Sequence, residues 1–334
     1  MINDDKPDLE ILMPTQNRPL FVKRALSFYK QELLPYKVHL LDSSNGEHKT
    51  AIKEIVKSSG LDIDIHDHDY INGASSFDKF DKALESISSE YVLMVADDDF
   101  IFPSAIRKCV DFLRVHPDYT AASGRSYLFE LDAARHHGDI ESIVSYPQLS
   151  AEHNRPERRF ISHMRNWSTM AYSVQRSDNL KEIIVTHRQF CDDIRMMEIH
   201  WYATNVIRGK VASLDIPYMF RQSSLSKEWS VEGSDWSKSL GFSDKKKHLV
   251  SILASELAYK GSRSDSYYVN MCATALNGWI KARRPFSLKN VFDYSTGYYW
   301  GKFNEKIGRN TVVKDDLESV ERIRFAVSGL IIDA

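Results

Sequence analysis

The first third of the chain switches repeatedly between two periodicities, and that alternation limits the folds open to it. LEILMP (Leu9–Pro14), VHLLD (Val38–Asp42), LDIDIHD (Leu61–Asp67) and YVLMVA (Tyr91–Ala96) are short apolar or alternating runs of strand length. Each is followed by helical spacing. Val22, Ala25, Leu26, Tyr29 and Leu33 run up to Pro35, and Thr50–Ser59 form a second such stretch. Phe77, Phe80, Leu84 and Ile87 mark a third, and Ile106, Cys109, Val110 and Leu113 a fourth. Pro19 suits a first helical turn, where the N–H it lacks would go unpaired in any case. Strand–helix repetition of this kind predicts an α/β fold built from right-handed βαβ units. Its mostly parallel, Rossmann-like open sheet would be flanked by helices.

Beyond residue 120 the pattern loosens. Strands are predicted at Ala121–Glu130, around Thr169–Val174 and at Lys210–Asp215. A helix opens at Asp192–Asp193 and carries Ile194, Met197 and Trp201 on one face. The last hundred residues read as helical, at Leu249–Tyr259, Tyr268–Trp279 and Leu317–Val327. The expected division is a sheet domain over 1–228, with halves 1–125 and 126–228, and a helical C-terminal region over 229–334. A length of 334 residues leaves room for such an appendage.

The 44 basic and 46 acidic residues give a net charge of -2, which argues against a nucleic-acid binder held by a general positive field. Cys109, Cys191 and Cys272 are far apart and odd in number, so a disulfide framework or a CxxC zinc site is not expected. The acidic, polar start MINDDKPDLE does not read as a secretion signal, and no run reaches the roughly 18 apolar residues of a membrane span. These features predict a cytoplasmic protein. The aromatic stretch FDYSTGYYWGKF (Phe292–Phe303) is a candidate for a peripheral membrane or partner-protein contact, or for packing of the C-terminal region.

YVLMVADDDF sends a buried strand into three consecutive aspartates, Asp97, Asp98 and Asp99. Ligands of open parallel sheets bind beyond the carboxyl ends of the strands. Hard carboxylate oxygens there suit Mg²⁺ or Mn²⁺, which bind through one or two carboxylates plus substrate phosphates. A dication would relieve the mutual repulsion of the three. The competing reading makes one aspartate a helix cap and leaves the others in water.

MPTQNRP, LLDSSNG and NGASSFDKFDKALESISSEYVLMVADDDF, in that order over Leu9–Pro103, resemble the GT-A fold glycosyltransferases, most closely the family-two enzymes. The resemblance implies a metal-dependent enzyme moving a sugar from a nucleoside-diphosphate donor, a UDP-sugar by default, to a hydroxyl of a glycan or glycolipid. It implies that Thr15 and Arg18 border the nucleotide pocket, that Asp42 hydrogen-bonds the base or ribose, and that Gly73 lets backbone approach the ligand. Lys79 would face the diphosphate. Asp97 and Asp99 would form the Asp-x-Asp metal site; counting back from Pro103 instead makes Asp98 the principal ligand.

CDDIRMMEIHWYATNVIRGKVASLDIPYMFRQSSLS resembles the family's later segment, an acidic pair opening a helix and then an Arg-containing loop. In inverting members the second acid is the general base, which here is Asp193, with Asp192 beside it. A helix N-cap is the alternative role for Asp193. Arg221 and Lys227 would meet the diphosphate, with Gln222 where a His ligand is sometimes found. Trp167 could stack on a sugar or pack in a core. Arg155, Arg158, Arg159 and Arg165 read either as a solvated helix face or as an anion-binding stretch. In HDHD (His66–Asp69) the two histidines share one strand face and lack a third ligand. The chain has no GxGxxG, P-loop or GxSxG motif. A sugar nucleotidyltransferase and an inactive nucleotide-sugar-binding module are the rival functions.

Overall fold

A computed structural model describes residues 8–67, 76–132, 135–187, 190, 193–223, 241–282 and 316–328. In chain order the elements are β1 (Leu9–Thr15), α1 (Pro19–Gln31), β2 (Lys37–Asp42), α2 (Gly46–Ser59), β3 (Ile63–Asp67), α3 (Ser76–Ser86), β4 (Tyr91–Met94), β5 (Phe100–Ile101) and α4 (Pro103–Val115). There follow β6 (Tyr119–Leu131), β7 (Ile140–Tyr146), α5 (Pro156–Arg165), β8 (Val174–Arg176), α6 (Ser177–His187), α7 (Ile194–Arg208) and β9 (Lys210–Gln222). Three helices complete the described chain: α8 (Phe242–Lys260), α9 (Asp265–Ala282) and α10 (Leu317–Val327).

The strands form one sheet in the order β3-β2-β1-β4-β8-β6-β9-β5, with β7 added beside β6. β1 lies parallel to β2 and β4, β2 parallel to β3, and β6 parallel to β9. β8, β5 and β7 pair antiparallel with their neighbours. The register sets Thr15 opposite Asp42, so the ends of β1 and β2 arrive together.

Side-chain alternation splits the core between the two faces of the sheet. Leu9, Ile11 and Met13 of β1 join Val38, Leu40, Leu93 and the buried sides of α1, α4 and α10. Leu12, Leu41 and Val92 face the other way, against Phe80 and Leu84 of α3, Ile183 of α6 and Val206 of α7. A third cluster is helical, where Phe160, Met197, Leu253, Leu257, Cys272 and Leu276 join α5, α7, α8 and α9. The α/β reading and all four predicted strands of the first third are present.

The structure departs from the sequence reading in local extents. Helix α1 ends at Gln31, and Leu33 turns out at φ 54 with 83% of its side chain exposed, outside the apolar stripe. β9 runs to Gln222 rather than Asp215, with register shifts around Gly124/Arg125 that let it follow the curl of β6. At Gly124 a Cβ would lie 2.7 Å from the Ile216 carbonyl, so the crossing needs glycine. β5, β7 and α6 were not anticipated; two of the three are short or half-buried and lack a clean period.

Candidate functional site

Three loops meet at the carboxyl ends of β1, β2 and β4. The turn after β1 is tied to the turn after β2. Asn17 N donates to Ser44 Oγ at 2.6 Å, Asn45 N to Asn17 Oδ1 at 3.0 Å, and Ser43 N to the Thr15 carbonyl at 3.2 Å. Asn17 holds φ 54, a conformation that Asn tolerates better than most residues. Asp42 closes β2, fully buried. Its Oδ1 accepts from Ser44 N at 2.8 Å, and its Oδ2 has no hydrogen-bond partner among the described residues. Lys79 of α3 donates to Ser43 Oγ. Burial lowers its pKa, with the Asp42 charge opposing the shift.

The three aspartates point to different partners. Asp97 accepts from Thr15 Oγ1 at 2.7 Å and pairs with Arg18 Nη1 at 2.7 Å. Asp98 pairs with Arg18 Nη2 at 2.8 Å and keeps 16% of its side chain exposed. Asp99 accepts from the Gln222 backbone N–H at 3.0 Å and lies 3.7 Å from Arg221 Nε. Beneath them sits Arg24, fully buried. It donates to the Asp98 carbonyl at 3.0 Å and the His136 carbonyl at 2.6 Å, between the rings of Phe21 and Phe100. Three arginines thus compensate three carboxylates.

Burial dominates the electrostatics. It pushes Asp97 up to about 7 against the pull of Arg18, with the Asp98 carboxylate adding to the rise. Asp99 is raised as well, by burial and by Asp98, against Arg221 and the Gln222 N–H. Burial takes Arg24 down to about 10 despite the aspartates. Arg221 is held protonated more firmly than usual, because Tyr172, Asp99 and Tyr146 outweigh its burial; its guanidinium stands 5.2 Å from the Tyr172 ring and 5.8 Å from the Tyr146 ring.

A scan against protein-family models matches none, and no curated protein matches the chain. Solved structures do. S. aureus TarS 1-349 in complex with UDP-GlcNAc aligns at a TM-score of 0.52 and 16% identity, over 88% of this chain and 78% of that one. Its complex with UDP gives 0.51 and 15%, over 88% and 77%. A longer S. aureus TarS chain gives 0.50 and 15%, over 88% of this chain and 46% of that one. With the sheet order above, these likenesses decide the architecture. The fold is of the GT-A type.

In this GT-A fold the β1–β2–β4 crevice gathers Thr15, Arg18, Asp42, Lys79, Asp97 and Asp98, while Asp99 turns toward Arg221 on β9. Gly73, Asp192 and Lys227 lie outside the described residues. Asp193 is the N-cap of α7, accepting from Met196 N at 3.1 Å. Among the described residues no three His, Cys, Asp or Glu side chains converge as a closed metal cage. The donor set still fits Mg²⁺ or Mn²⁺, because such ions take one or two carboxylates and complete their shell with phosphates and water. Asp98 keeps 16% of its side chain exposed, so one carboxylate of the cluster is open to such a cation.

Other candidates fall elsewhere. Trp167 packs among His163, Tyr202 and Trp279, the core alternative. Arg159 is buried and donates to the Val206 and Ile207 carbonyls, capping the end of α7, so it is neither solvated nor an anion ligand. His66 hydrogen-bonds His39, which is held by buried Glu10. The aromatic stretch Phe292–Phe303 is outside the described residues. Sequence reading missed Arg24 and Glu198. Arg24 sits within a helical apolar stripe, and a cation among Val22, Ala25 and Leu26 was the available signal. Glu198 lies one turn before Tyr202 on α7. Burial raises its pKa, with Arg221 and Arg195 opposing.

Proposed function

We propose that this protein is a metal-dependent glycosyltransferase that moves a sugar from a nucleoside-diphosphate donor, a UDP-sugar before others, to a hydroxyl of a glycan or glycolipid. The observation that carries this reading is Asp42 Oδ2 at the carboxyl end of β2, a fully buried acceptor with no donor among the described residues. An orphaned buried acceptor costs about 1–3 kcal/mol, which a ligand N–H or O–H recovers. Uracil N3–H, guanine N1–H and the cytosine N4 amino group are such donors. A ribose hydroxyl serves as well. The TarS structures that share this fold hold UDP-GlcNAc and UDP, which supports the same class of donor here.

Asp97, Asp98 and Asp99 are the residues that would hold Mn²⁺ or Mg²⁺. A bound dication offsets the charge that builds up on the departing diphosphate. Arg18 and Arg221 flank the aspartates and supply fixed positive charge to the phosphates. Thr15 fixes the Asp97 carboxylate through its hydroxyl. In an inverting reaction Asp193 takes the acceptor hydroxyl's proton as that oxygen attacks the anomeric carbon. Arg18 must loosen its grip on Asp98 for that carboxylate to turn to a cation.

The test is thermal-shift titration with UDP, GDP and CDP, each with and without Mn²⁺. A ligand that binds only the folded chain raises its melting temperature. A Mn²⁺-dependent shift with UDP that is lost in Asp98→Ala supports the reading. Flat responses to all three nucleotides would overturn it.

A further inference from the structure

The face of β1, β2 and β3 that turns toward α3 carries a chain of three titratable groups that the proposed reaction does not use. Glu10 and His39 stand two residues before Leu12 and Leu41, on the same face of the sheet. Both are buried. His39 Nε2 lies 2.5 Å from Glu10 Oε2, and His39 Nδ1 lies 2.9 Å from Nε2 of His66 on β3. Glu10 Oε1 accepts from the N–H groups of Ser88 and Ser89, each at 2.9 Å, and from the Ser88 hydroxyl at 3.2 Å.

These contacts fix how many protons the chain can hold. Burial pushes the Glu10 pKa up, but the His39 hydrogen bond and the two serine N–H groups outweigh it and hold it below the usual value. Glu10 is therefore a carboxylate and accepts from His39 Nε2–H. His39 Nδ1 and His66 Nε2 then share a bond that needs one N–H and one lone pair. A single added proton is accommodated, because whichever ring carries it donates to the other. A second proton sets N–H against N–H and a positive charge on each ring, and the bond is lost. Among the described residues the other charges acting on His66 are Asp64 and Lys37, which pair with each other at 2.6 Å. Lys79, Asp81, Lys82 and Glu85 of α3 are not among them.

We propose that His39 and His66 form an acid-sensitive latch on β3, shut while the pair holds at most one proton and open when both rings are charged. β3 lies at the end of the sheet order and pairs with β2 alone among the described strands, so the latch acts on an edge. Burial and the His39 charge hold the His66 pKa below the ordinary 6.5, with Asp64 pulling the other way. The released state thus binds more protons than the latched one, and the hold on β3 is present above about pH 6.5 and lost as pH falls. The β2–β3 pairing ends with Asp42 opposite Asp67, so an open latch removes support beside the Asp42 turn. That consequence for ligand binding rests on the proposed nucleotide site; the latch itself does not.

Hydrogen–deuterium exchange of residues 61–67 in the full chain, read by mass spectrometry between about pH 5 and about pH 8, tests it. Wild type is compared at each pH with His66→Gln and His66→Phe, so that the intrinsic pH dependence of exchange cancels. Gln offers His39 Nδ1 an uncharged N–H, whereas Phe offers none. Relative to His66→Gln, wild-type protection should fall about tenfold between pH 7.5 and pH 5, the weight of one lost hydrogen bond. His66→Phe should already exchange faster than wild type at pH 7.5. Equal protection of wild type and His66→Gln across the whole range, or of wild type and His66→Phe at pH 7.5, overturns the inference. An acid-dependent loss of β3 protection in a protein that shows no UDP/Mn²⁺ thermal shift at any pH would support the latch and discard the nucleotide reading.

Discussion

The guanidinium of Arg24 donates to the backbone carbonyl of Asp98 across 3.0 Å, although 74 residues separate them in the chain. The same group reaches the His136 carbonyl, and Gly138 N in turn donates to the Val327 carbonyl at 2.9 Å. The aspartate turn is thereby anchored to the loop before β7 and, through it, to the end of α10.

Arg24→Met should leave two part-buried carbonyls without this donor and remove a buried cation beneath three carboxylates. Charged hydrogen bonds contribute about 1.5–3 kcal/mol each, so a loss of at least about 3 kcal/mol is expected in urea unfolding. Arg24→Lys should recover part of it. Equal stability of Arg24→Met and wild type would contradict the geometry.

Asp42 should trade stability for binding. Asp42→Asn removes a buried carboxylate that one donor satisfies among the described residues, so the melting temperature of the ligand-free protein should hold or rise. UDP affinity should fall about tenfold or more, since one charged hydrogen bond is lost. A variant that binds UDP as tightly as wild type would remove Asp42 from the nucleotide pocket.

The raised pKa of Asp97 predicts a pH dependence of stability. Its value moves from 3.8 to about 7 on folding, so between those limits the native state binds more protons than the unfolded state. Stability of the ligand-free protein should therefore fall as pH rises from about 4 to about 7 and level off above. Asp97→Asn should flatten that slope. A wild-type slope identical to that of the variant over this window would show Asp97 ionised normally.

Asp193 separates two roles by substitution. As N-cap it accepts from Met196 N, and Asn caps about as well, so Asp193→Asn should change stability by a few tenths of a kcal/mol; Asp193→Ala should cost about 1 kcal/mol. As general base it needs the carboxylate, so Asp193→Asn should abolish transfer while the UDP/Mn²⁺ thermal shift survives. Substantial turnover by Asp193→Asn would assign the proton transfer elsewhere, with Glu198 the next group to test.

Asp316, fully buried, takes both Arg125 Nε (3.0 Å) and Nη2 (2.7 Å) and the Tyr127 hydroxyl, which fastens α10 to β6. Arg125 is part-exposed and keeps Asp215 as a partner, so the loss is that of charged hydrogen bonds, about 1.5–3 kcal/mol. Asp316→Ala should show that loss in chemical denaturation, and a loss under about 1 kcal/mol would mean that α10 is held by its apolar face alone.

The sequence by itself determined the βαβ order of the first third and the clustering of charge at strand ends. Local periodicity is enough there: Leu9–Pro14 and Val38–Asp42 alternate between two buried faces, and parallel pairing puts their last residues, Thr15 and Asp42, side by side. That Asp97, Asp98 and Asp99 belong to a site was legible from three carboxylates following a buried strand. Their division of labour was not, because it depends on partners distant in the chain. Arg18 is 80 residues from Asp98, and Gln222 is 123 residues from Asp99. Arg24 was hidden because a helical stripe marks a position as buried without saying what the helix is packed on.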